Sequence, residues 1–327
     1  MQDFAAQVAS ARNAVAIADR SARGRFIARG ADRLAFLHNM LSAPITTLAP
    51  GQGCRAELLD DRGHVVGDLR VLAGTDYVLL DTEPGRAEAV RTALDKFIIM
   101  DDVQLEDAST TLALFTVVGP KAPEVLRAIL AGEPPAPLWA HATFVLAGVE
   151  ARVAHTRWTG ANDFDVFVPA AQASAVREML EKGVLAAGGA VLSPEAFEVL
   201  RVEAGVARQG ADLDDVVALE ARLDKEGAVS FTKGCYLGQE VMARIDARGH
   251  VNRLLVGLLV DGDAPPAAGA SVRADGKEVG RITSAVFSPT LGRPIALGYV
   301  RREVSEPGHS LTVGDAKATV AALPFVA

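Results

Sequence analysis

Residues 231–240 read Phe-Thr-Lys-Gly-Cys-Tyr-Leu-Gly-Gln-Glu and contain one of only two cysteines in the 327-residue chain. The apolar residues 228–231 predict a short strand that enters this stretch. Residues 239–248 place apolar side chains on one helical face, and Gly249 suits the position that follows a helix. The pattern therefore predicts that Cys235 lies on a glycine-flanked turn that leads into a helix.

This predicted position suits a reactive thiol. A nearby ammonium group on Lys233 and the positive end of the helix dipole would both favour the thiolate. Gly234 and Gly238 carry no side chains, so a bulky group could approach the sulfur atom. Cys235 is thus the candidate catalytic residue, and the alternative is a small buried hydrophobic residue, which free cysteines often are.

Composition limits the classes of protein that the chain can represent. The net charge is −8, half of the residues are hydrophobic and 23% are charged. These values predict a soluble globular protein of two or three domains and disfavour a dedicated nucleic-acid binder. The two cysteines, Cys54 and Cys235, match no metal-ligand spacing and no disulfide framework, so no metal site is predicted. The sequence shows neither a signal peptide nor a membrane span, which predicts a cytoplasmic location.

The first two thirds of the chain mix strands and helices. Strands at 54–59 and 65–72 flank a turn at 60–63, and a further strand and a helix follow. A second unit begins with an apolar strand at 112–118 and ends with a helix at 171–182. Each unit is similar in order to a ferredoxin-like α+β fold.

The chain after Arg253 has a different pattern. It contains six short strand candidates without intervening helices, and Asp275-Gly276 is a hairpin turn signal. This pattern predicts a small closed β-barrel.

The motif Lys-Gly-Cys-Tyr-x-Gly-Gln-Glu at 233–240 resembles the signature of the YgfZ family, folate-binding proteins implicated in assembly or repair of iron–sulfur proteins. Residues 201–205 and the barrel segments 280–284 and 296–300 are similar to the glycine-cleavage T-protein, an aminomethyltransferase that uses tetrahydrofolate. The resemblance spans about residues 20–327. It implies a three-domain ring around a channel that holds the folate.

The resemblance also implies domain boundaries. Residues 1–110 and 191–250 would form a discontinuous α+β folate-binding domain. Residues 111–190 would form a second α+β domain, and 251–327 the C-terminal barrel.

Several side chains become candidates for binding tetrahydrofolate. By resemblance, Asp68 faces the folate channel. Trp158 could stack on a pterin, although core packing explains it equally. Arg244 and Arg248 share one helix face and could bind a folate glutamate tail or, less readily, an RNA phosphate, whereas the alternative is a solvated cationic face. The full set of cofactor-binding candidates is Asp68, Trp158, Arg201, Glu203, Lys233, Tyr236, Gln239, Glu240, Arg244 and Arg248.

The chain departs from the T-protein pattern at two acidic positions. The pattern has adjacent acids where this chain reads Gly67-Asp68, and it has a glutamate at the position of Ala161. A one-carbon transferase needs correctly placed carboxylates. The departures favour a tetrahydrofolate-binding accessory factor for iron–sulfur client proteins or their assembly machinery, acting through Cys235. The alternative function is a tetrahydrofolate-dependent aminomethyl or one-carbon transferase.

Overall fold

The computed structural model describes residues 3–160 and 162–326. The helices are α1 Phe4–Asn13, α2 Arg33–Met40, α3 Ala87–Asp95, α4 Ala122–Leu130, α5 Ala173–Ala186, α6 Pro194–Glu203 and α7 Gln239–Arg248. The strands are β1 Ala16–Asp19, β2 Gly24–Arg29, β3 Gly53–Leu59, β4 Val65–Ala73, β5 Tyr77–Thr82, β6 Gln104–Asp107, β7 Leu112–Val118, β8 His141–Leu146, β9 Val149–Thr156, β10 Asp163–Pro169, β11 Ala190–Val191, β12 Arg253–Val260, β13 Ser271–Ala274, β14 Lys277–Ser288, β15 Arg293–Arg301, β16 Ser310–Val313 and β17 Ala316–Ala321.

Five strands form an antiparallel sheet in the order β3-β4-β5-β2-β6. The predicted turn at 60–63 joins β3 to β4. The Asp60 carboxylate accepts hydrogen bonds from the backbone N–H groups of Arg62 and His64, and Gly63 adopts a φ of +78°. Helices α2 and α3 cover one face of this sheet through buried apolar residues such as Leu37 and Leu94.

A second sheet has the order β11-β1-β7-β10-β9-β8. Its strands are antiparallel except for β1 and β11, which pair in parallel. Helices α4 and α5 pack against it through residues such as Leu126 and Leu180. Strand β1 comes from the N-terminal segment, so this sheet unites residues that are distant in sequence. The predicted domain boundaries near residues 110, 190 and 250 stay a prediction.

The last six strands close into a barrel in the order β12-β15-β14-β13-β16-β17. Asp275 and Gly276 adopt φ values of +48° and +75°, which suit the two-residue turn between β13 and β14. The barrel interior is filled by apolar side chains, among them Leu258, Ile282 and Val300. The predicted α+β fold with a C-terminal β-barrel is confirmed.

One local prediction is wrong: residues 228–231 form no strand. The chain between α6 and α7 consists of turns, and the backbone N–H of Ser230 bonds to the carbonyl of Ser42 rather than to a neighbouring strand. The apolar run reflects burial of Ala228 and Val229 in a core that also contains Tyr236 and Met242. A short apolar run cannot by itself distinguish a strand from a buried turn.

The two glycines beside Cys235 provide a matched test of this geometry. Gly238 has a φ of +82°, and a Cβ atom added there would lie 2.6 Å from the carbonyl oxygen of Asp60. We expect Gly238→Ala to lower the free energy of unfolding by about 1–3 kcal/mol through backbone strain, and the steric contact will add to this. Gly234 has no heavy atom within 4 Å of such a Cβ, so Gly234→Ala is the control. Equal urea-unfolding midpoints for the two variants would contradict the geometry.

Candidate functional site

A cavity of about 520 Å³ lies where the two sheets and the barrel meet. Arg55 on β3, Gly160 after β9 and Gly257 on β12 all line it, together with residues 204–206 after α6. This central cavity is therefore assembled from segments that are far apart in the sequence. Its other lining residues include Leu138, Trp139, Arg157, Ala221, Arg222, Lys225, Glu226, Leu255, Glu306 and Leu323.

Two residues on the cavity wall have strained backbone conformations. Trp139 has a φ of +67° and Arg222 a φ of +59°, in the region that glycine favours. A residue other than glycine in this region costs about 1–3 kcal/mol, and such residues concentrate at functional sites. The strain supports the central cavity as the functional site.

The cavity wall carries more positive than negative side chains. Arg157 and Arg222 are exposed, and neither forms an ion pair with another described residue. Lys225 is also exposed and lies 3.4 Å from the carboxylate of Asp224. A cationic rim in a protein of net charge −8 favours an anionic ligand.

Arg55 connects this cavity to the buried interior. Its Nε donates to Asp68 at 2.8 Å, and its Nη1 donates to the carboxylate of Glu226 on the cavity wall. Asp68 also accepts from Arg70 at 2.6 Å. The structure therefore places Arg55, and not the predicted Asp68, on the cavity. Asp68 acts on that wall only through Arg55.

Two carboxyl groups beneath Arg55 have opposite pKa shifts. Burial alone would raise the pKa of Asp68, but Arg55 and Arg70 outweigh it and hold the pKa well below its usual range. Glu57, directly opposite Asp68 on the neighbouring strand, has its pKa raised, first by burial and then by the Asp68 charge. Asp68 is therefore ionised at neutral pH, and Glu57 is the member of the pair whose charged form is disfavoured.

Trp158 does not present a free face to the cavity. The ring is 2% exposed, and the guanidinium carbons of Arg20, Arg23 and Arg70 lie 3.8–4.4 Å from its centroid. Its indole N–H donates to Asp165 at 3.1 Å. These contacts contradict the predicted stacking on a pterin and agree with the alternative of core packing.

The loop after Trp158 is closed by another buried acid. Asp163 accepts from the backbone N–H groups of Trp158 and Thr159 at 2.6 and 2.7 Å, and burial raises its pKa to about 6. Asp163 therefore shapes the loop from inside the protein. Ala161, where the T-protein pattern has glutamate, lies outside the described residues.

Arg201 and Glu203 are buried in hydrogen bonds that connect α6 to neighbouring segments. Their side chains are thereby occupied, which contradicts a direct role in holding a ligand; residues 204–206 behind them line the cavity instead. The partners of Arg201 are Glu198 (2.9 Å), Asp212 (2.8 Å), Ser284 (2.8 Å) and the backbone carbonyl of Val206, and those of Glu203 are Arg12 (2.8 Å) and Ser288.

Cys235 is exposed on a turn before α7, where the sequence predicted it. The predicted effect of Lys233 on this thiol stays a prediction, and the structure shows other partners for this lysine. Its ammonium group donates to the carbonyl oxygens of His38, Leu41 and Ala43 and so caps the end of α2. The cation therefore holds the end of α2, a role that the sequence did not predict.

Tyr236 is buried, and its hydroxyl has no protein partner among the described residues. Burial raises its pKa to about 12. Lys233 Nζ lies 4.9 Å from the centroid of the Tyr236 ring. Both side chains therefore contribute to packing between the motif and the first sheet, and neither lines the central cavity.

The remaining candidates lie on α7, away from the central cavity. Glu240, Arg244 and Arg248 are exposed, Gln239 is half-buried, and Glu240 forms no ion pair with Arg244 in the described part of the chain. A solvated face, which was the alternative, fits these arginines. Arg253, which follows α7, pairs with Glu220 at 2.8 Å.

The sequence prediction missed the charged residues that line the cavity, above all Arg55, Arg222 and Glu226. Arg55 carried a recognisable signal, because it alternates with Glu57 in a strand that is otherwise apolar. Buried charges of this kind need partners and often mark a site. Arg222 and Glu226 lie in an irregular acidic segment that shows no such pattern.

None of the helices described, across residues 3–160 and 162–326, has both the length and the apolar character needed to cross a membrane. Within the same residues, no three histidine, cysteine, aspartate or glutamate side chains are grouped to hold a metal ion. The cytoplasmic location stays a prediction.

The central cavity lies between two helix-covered sheets and a β-barrel, and two family profiles match the chain that forms them. The family profile "GCVT N-terminal domain" matches residues 1–233, and the profile "Glycine cleavage T-protein C-terminal barrel domain" matches residues 253–326. The chain belongs to this T-protein family.

Individual relatives agree with that assignment. The chain is 32% identical to the aminomethyltransferase of Nostoc sp. over 92% of this chain and 81% of the relative. It is 28% identical to a putative chloroplastic transferase of Arabidopsis thaliana over 96% of this chain and 72% of the relative. The crystal structure of aminomethyltransferase T from Bartonella henselae superposes with a TM-score of 0.87 at 24% identity, over 99% of this chain and 89% of that one, which shows the shared fold.

The two cysteines should differ in reactivity. Cys235 is exposed, whereas Cys54 is half-buried in β3 and burial raises its pKa to about 12. At pH 8 we expect limiting iodoacetamide to alkylate Cys235 first, as measured by peptide mass spectrometry. Faster labelling of Cys54 would contradict the structure.

Lys233→Met separates the two roles considered for this lysine. Because its ammonium group caps α2, we expect a loss of about 1–3 kcal/mol of unfolding free energy. The alkylation rate of Cys235 in the folded variant should be unchanged. A slowed reaction at unchanged stability would restore the activating role for Lys233.

Proposed function

We propose that this protein binds tetrahydrofolate in the central cavity and catalyses transfer of an aminomethyl or other one-carbon unit. The observation that carries the proposal is the cavity itself, which has apolar walls and a cationic rim and lies in the scaffold of a family whose relatives are named aminomethyltransferases. Its volume of about 520 Å³ lies within the range of about 300–1,000 Å³ for small-ligand sites. These names favour the transferase over the iron–sulfur accessory factor that the sequence placed first.

The residues present fit the ligand at both of its ends. Arg157, Arg222 and Lys225 can pair with the glutamate carboxylates of a folate. Apolar residues such as Leu255 and Leu323 can contact its ring system. Bound tetrahydrofolate would supply the nitrogen atoms that carry the one-carbon unit.

Glu226 is the cavity carboxylate best placed for chemistry. Arg55 binds its carboxylate, and Arg55 is in turn held by the ionised Asp68. A side chain oriented in this way can accept hydrogen bonds from a ligand or stabilise positive charge without reorganising. It offers an acid at the cavity although the T-protein acids are absent at Gly67 and Ala161.

Calorimetry with tetrahydrofolate tests the proposal. We expect saturable binding to the wild type. The Kd of Arg157→Gln should be several-fold higher, because a partly exposed ion pair contributes about 1 kcal/mol. Arg248→Gln on α7 is the matched control and should bind like the wild type. Absence of heat and of any rise in melting temperature at millimolar tetrahydrofolate would refute the proposal.

A second candidate function keeps the predicted YgfZ role. It is supported by the exposed Cys235 within the 233–240 motif, and it would use the same folate site to support iron–sulfur client proteins. A single thiol cannot hold a stable cluster, so further ligands would come from a second chain or a small thiol. Contact with RNA through Arg244 and Arg248 stays a prediction with less support.

Cells carrying Cys235→Ser distinguish the two functions. If the accessory role is right, iron–sulfur enzyme activity should fall while the purified variant keeps its melting temperature and its affinity for tetrahydrofolate. Cys54→Ser is the control for loss of a thiol. Normal iron–sulfur enzyme activity in the Cys235→Ser cells would leave the transferase as the function.

A further inference from the structure

A second cavity, of about 370 Å³, lies between the two sheets, and none of its lining residues lines the central cavity. One wall is the turn from β4 to β5, with Thr75 and Tyr77. The other is the hairpin of β8 and β9, with His141, Thr143 and Arg152. Thr143 and Arg152 are direct cross-strand partners, and His141 lies two residues before Thr143, so the three share one face of the hairpin.

Arg152 is held in a fixed orientation at this cavity. Its Nη1 donates to Nδ1 of His141 at 2.8 Å, and its guanidinium carbon lies 4.9 Å from the centroid of the Tyr77 ring. His141 is buried, and burial lowers its pKa, so at neutral pH the ring is uncharged and Nδ1 can accept. One bond and one aromatic face therefore position a single guanidinium.

The charge of Arg152 is not neutralised by the protein. The side chain is half-buried and burial lowers its pKa, yet it forms no ion pair with a described carboxylate. By contrast, the buried guanidinium group of Arg23 lies 2.7 Å from the carboxylate of Asp81, and that of Arg55 lies 2.8 Å from the carboxylate of Asp68. The N–H groups of Arg152 other than the one bonded to His141 have no protein acceptor in the described chain. A half-buried, pre-oriented and unpaired cation is suited to an external anion.

We propose that this second cavity binds an oxyanion, the phosphate or carboxylate group of a small molecule. The free edge of Arg152 offers parallel N–H donors, and the hydroxyl of Thr143 lies on the same face. Glu150 also lines the cavity, and its carboxylate would repel a second anionic group on the ligand. This site is independent of the folate site, because its residues do not line the central cavity.

Calorimetric titration of the full-length protein at constant ionic strength tests the site, with inorganic phosphate in one arm and acetate in the other. We expect saturable binding of at least one anion, and the tighter one identifies the group. Arg152→Gln should weaken that binding about tenfold or more, because a hydrogen-bonded charge contributes about 1.5–3 kcal/mol. Arg152→Lys keeps the charge but loses the paired donors, so its affinity for the anion should lie between those of the wild type and Arg152→Gln.

Two controls keep the result specific. Arg248→Gln removes an exposed cation on α7 that lines neither cavity, and should leave anion binding unchanged. Thr143→Val, which leaves the guanidinium in place, should weaken binding and serves if Arg152→Gln fails to fold by circular dichroism. Saturation by neither anion, or equal binding by the wild type and Arg152→Gln, would overturn the proposal.

Discussion

The structure depends on paired charges buried at the junction of its two sheets. Arg23 binds Asp81 at 2.7 Å and Arg70 binds Asp68 at 2.6 Å, and both guanidinium groups lie against the ring of Trp158. Because breaking a buried ion pair costs about 3–5 kcal/mol, each of these side chains constrains the others. Asp68 and Asp81 lie on the first sheet, and Trp158, which precedes β10 of the second sheet, packs against the arginines that bind them. The position of the two sheets relative to each other is therefore narrowly defined.

The same buried network also orients one wall of the central cavity. Arg55 shares Asp68 with Arg70, so one wall of the cavity is part of the buried network. The strained backbones of Trp139 and Arg222, which also line the cavity, persist because the surrounding structure holds them. A ligand that enters finds side chains already ordered, which reduces the entropy lost on binding.

Sequence patterns predicted those parts of the fold that depend on local chemistry. The barrel strands follow from alternation and from turns such as Asp275-Gly276, and the β3–β4 hairpin follows from the turn at 60–63. The motif around Cys235 was placed correctly on a turn before α7. The contacts of Lys233 with α2 and of Trp158 with Arg20, Arg23 and Arg70 were not predicted, because these partners lie far away in sequence and no local pattern reports such contacts. The cavity charges were missed for the same reason.

The cap that Lys233 places on α2 has a consequence for the order in which the chain is made. Its acceptors at His38 and Leu41 are synthesised about 190 residues before the lysine itself. During translation the first sheet can therefore form with the carbonyl groups at the end of α2 still bonded to water. The ammonium group replaces that water only when the motif emerges from the ribosome. The contact therefore cannot form until more than two thirds of the chain has been synthesised.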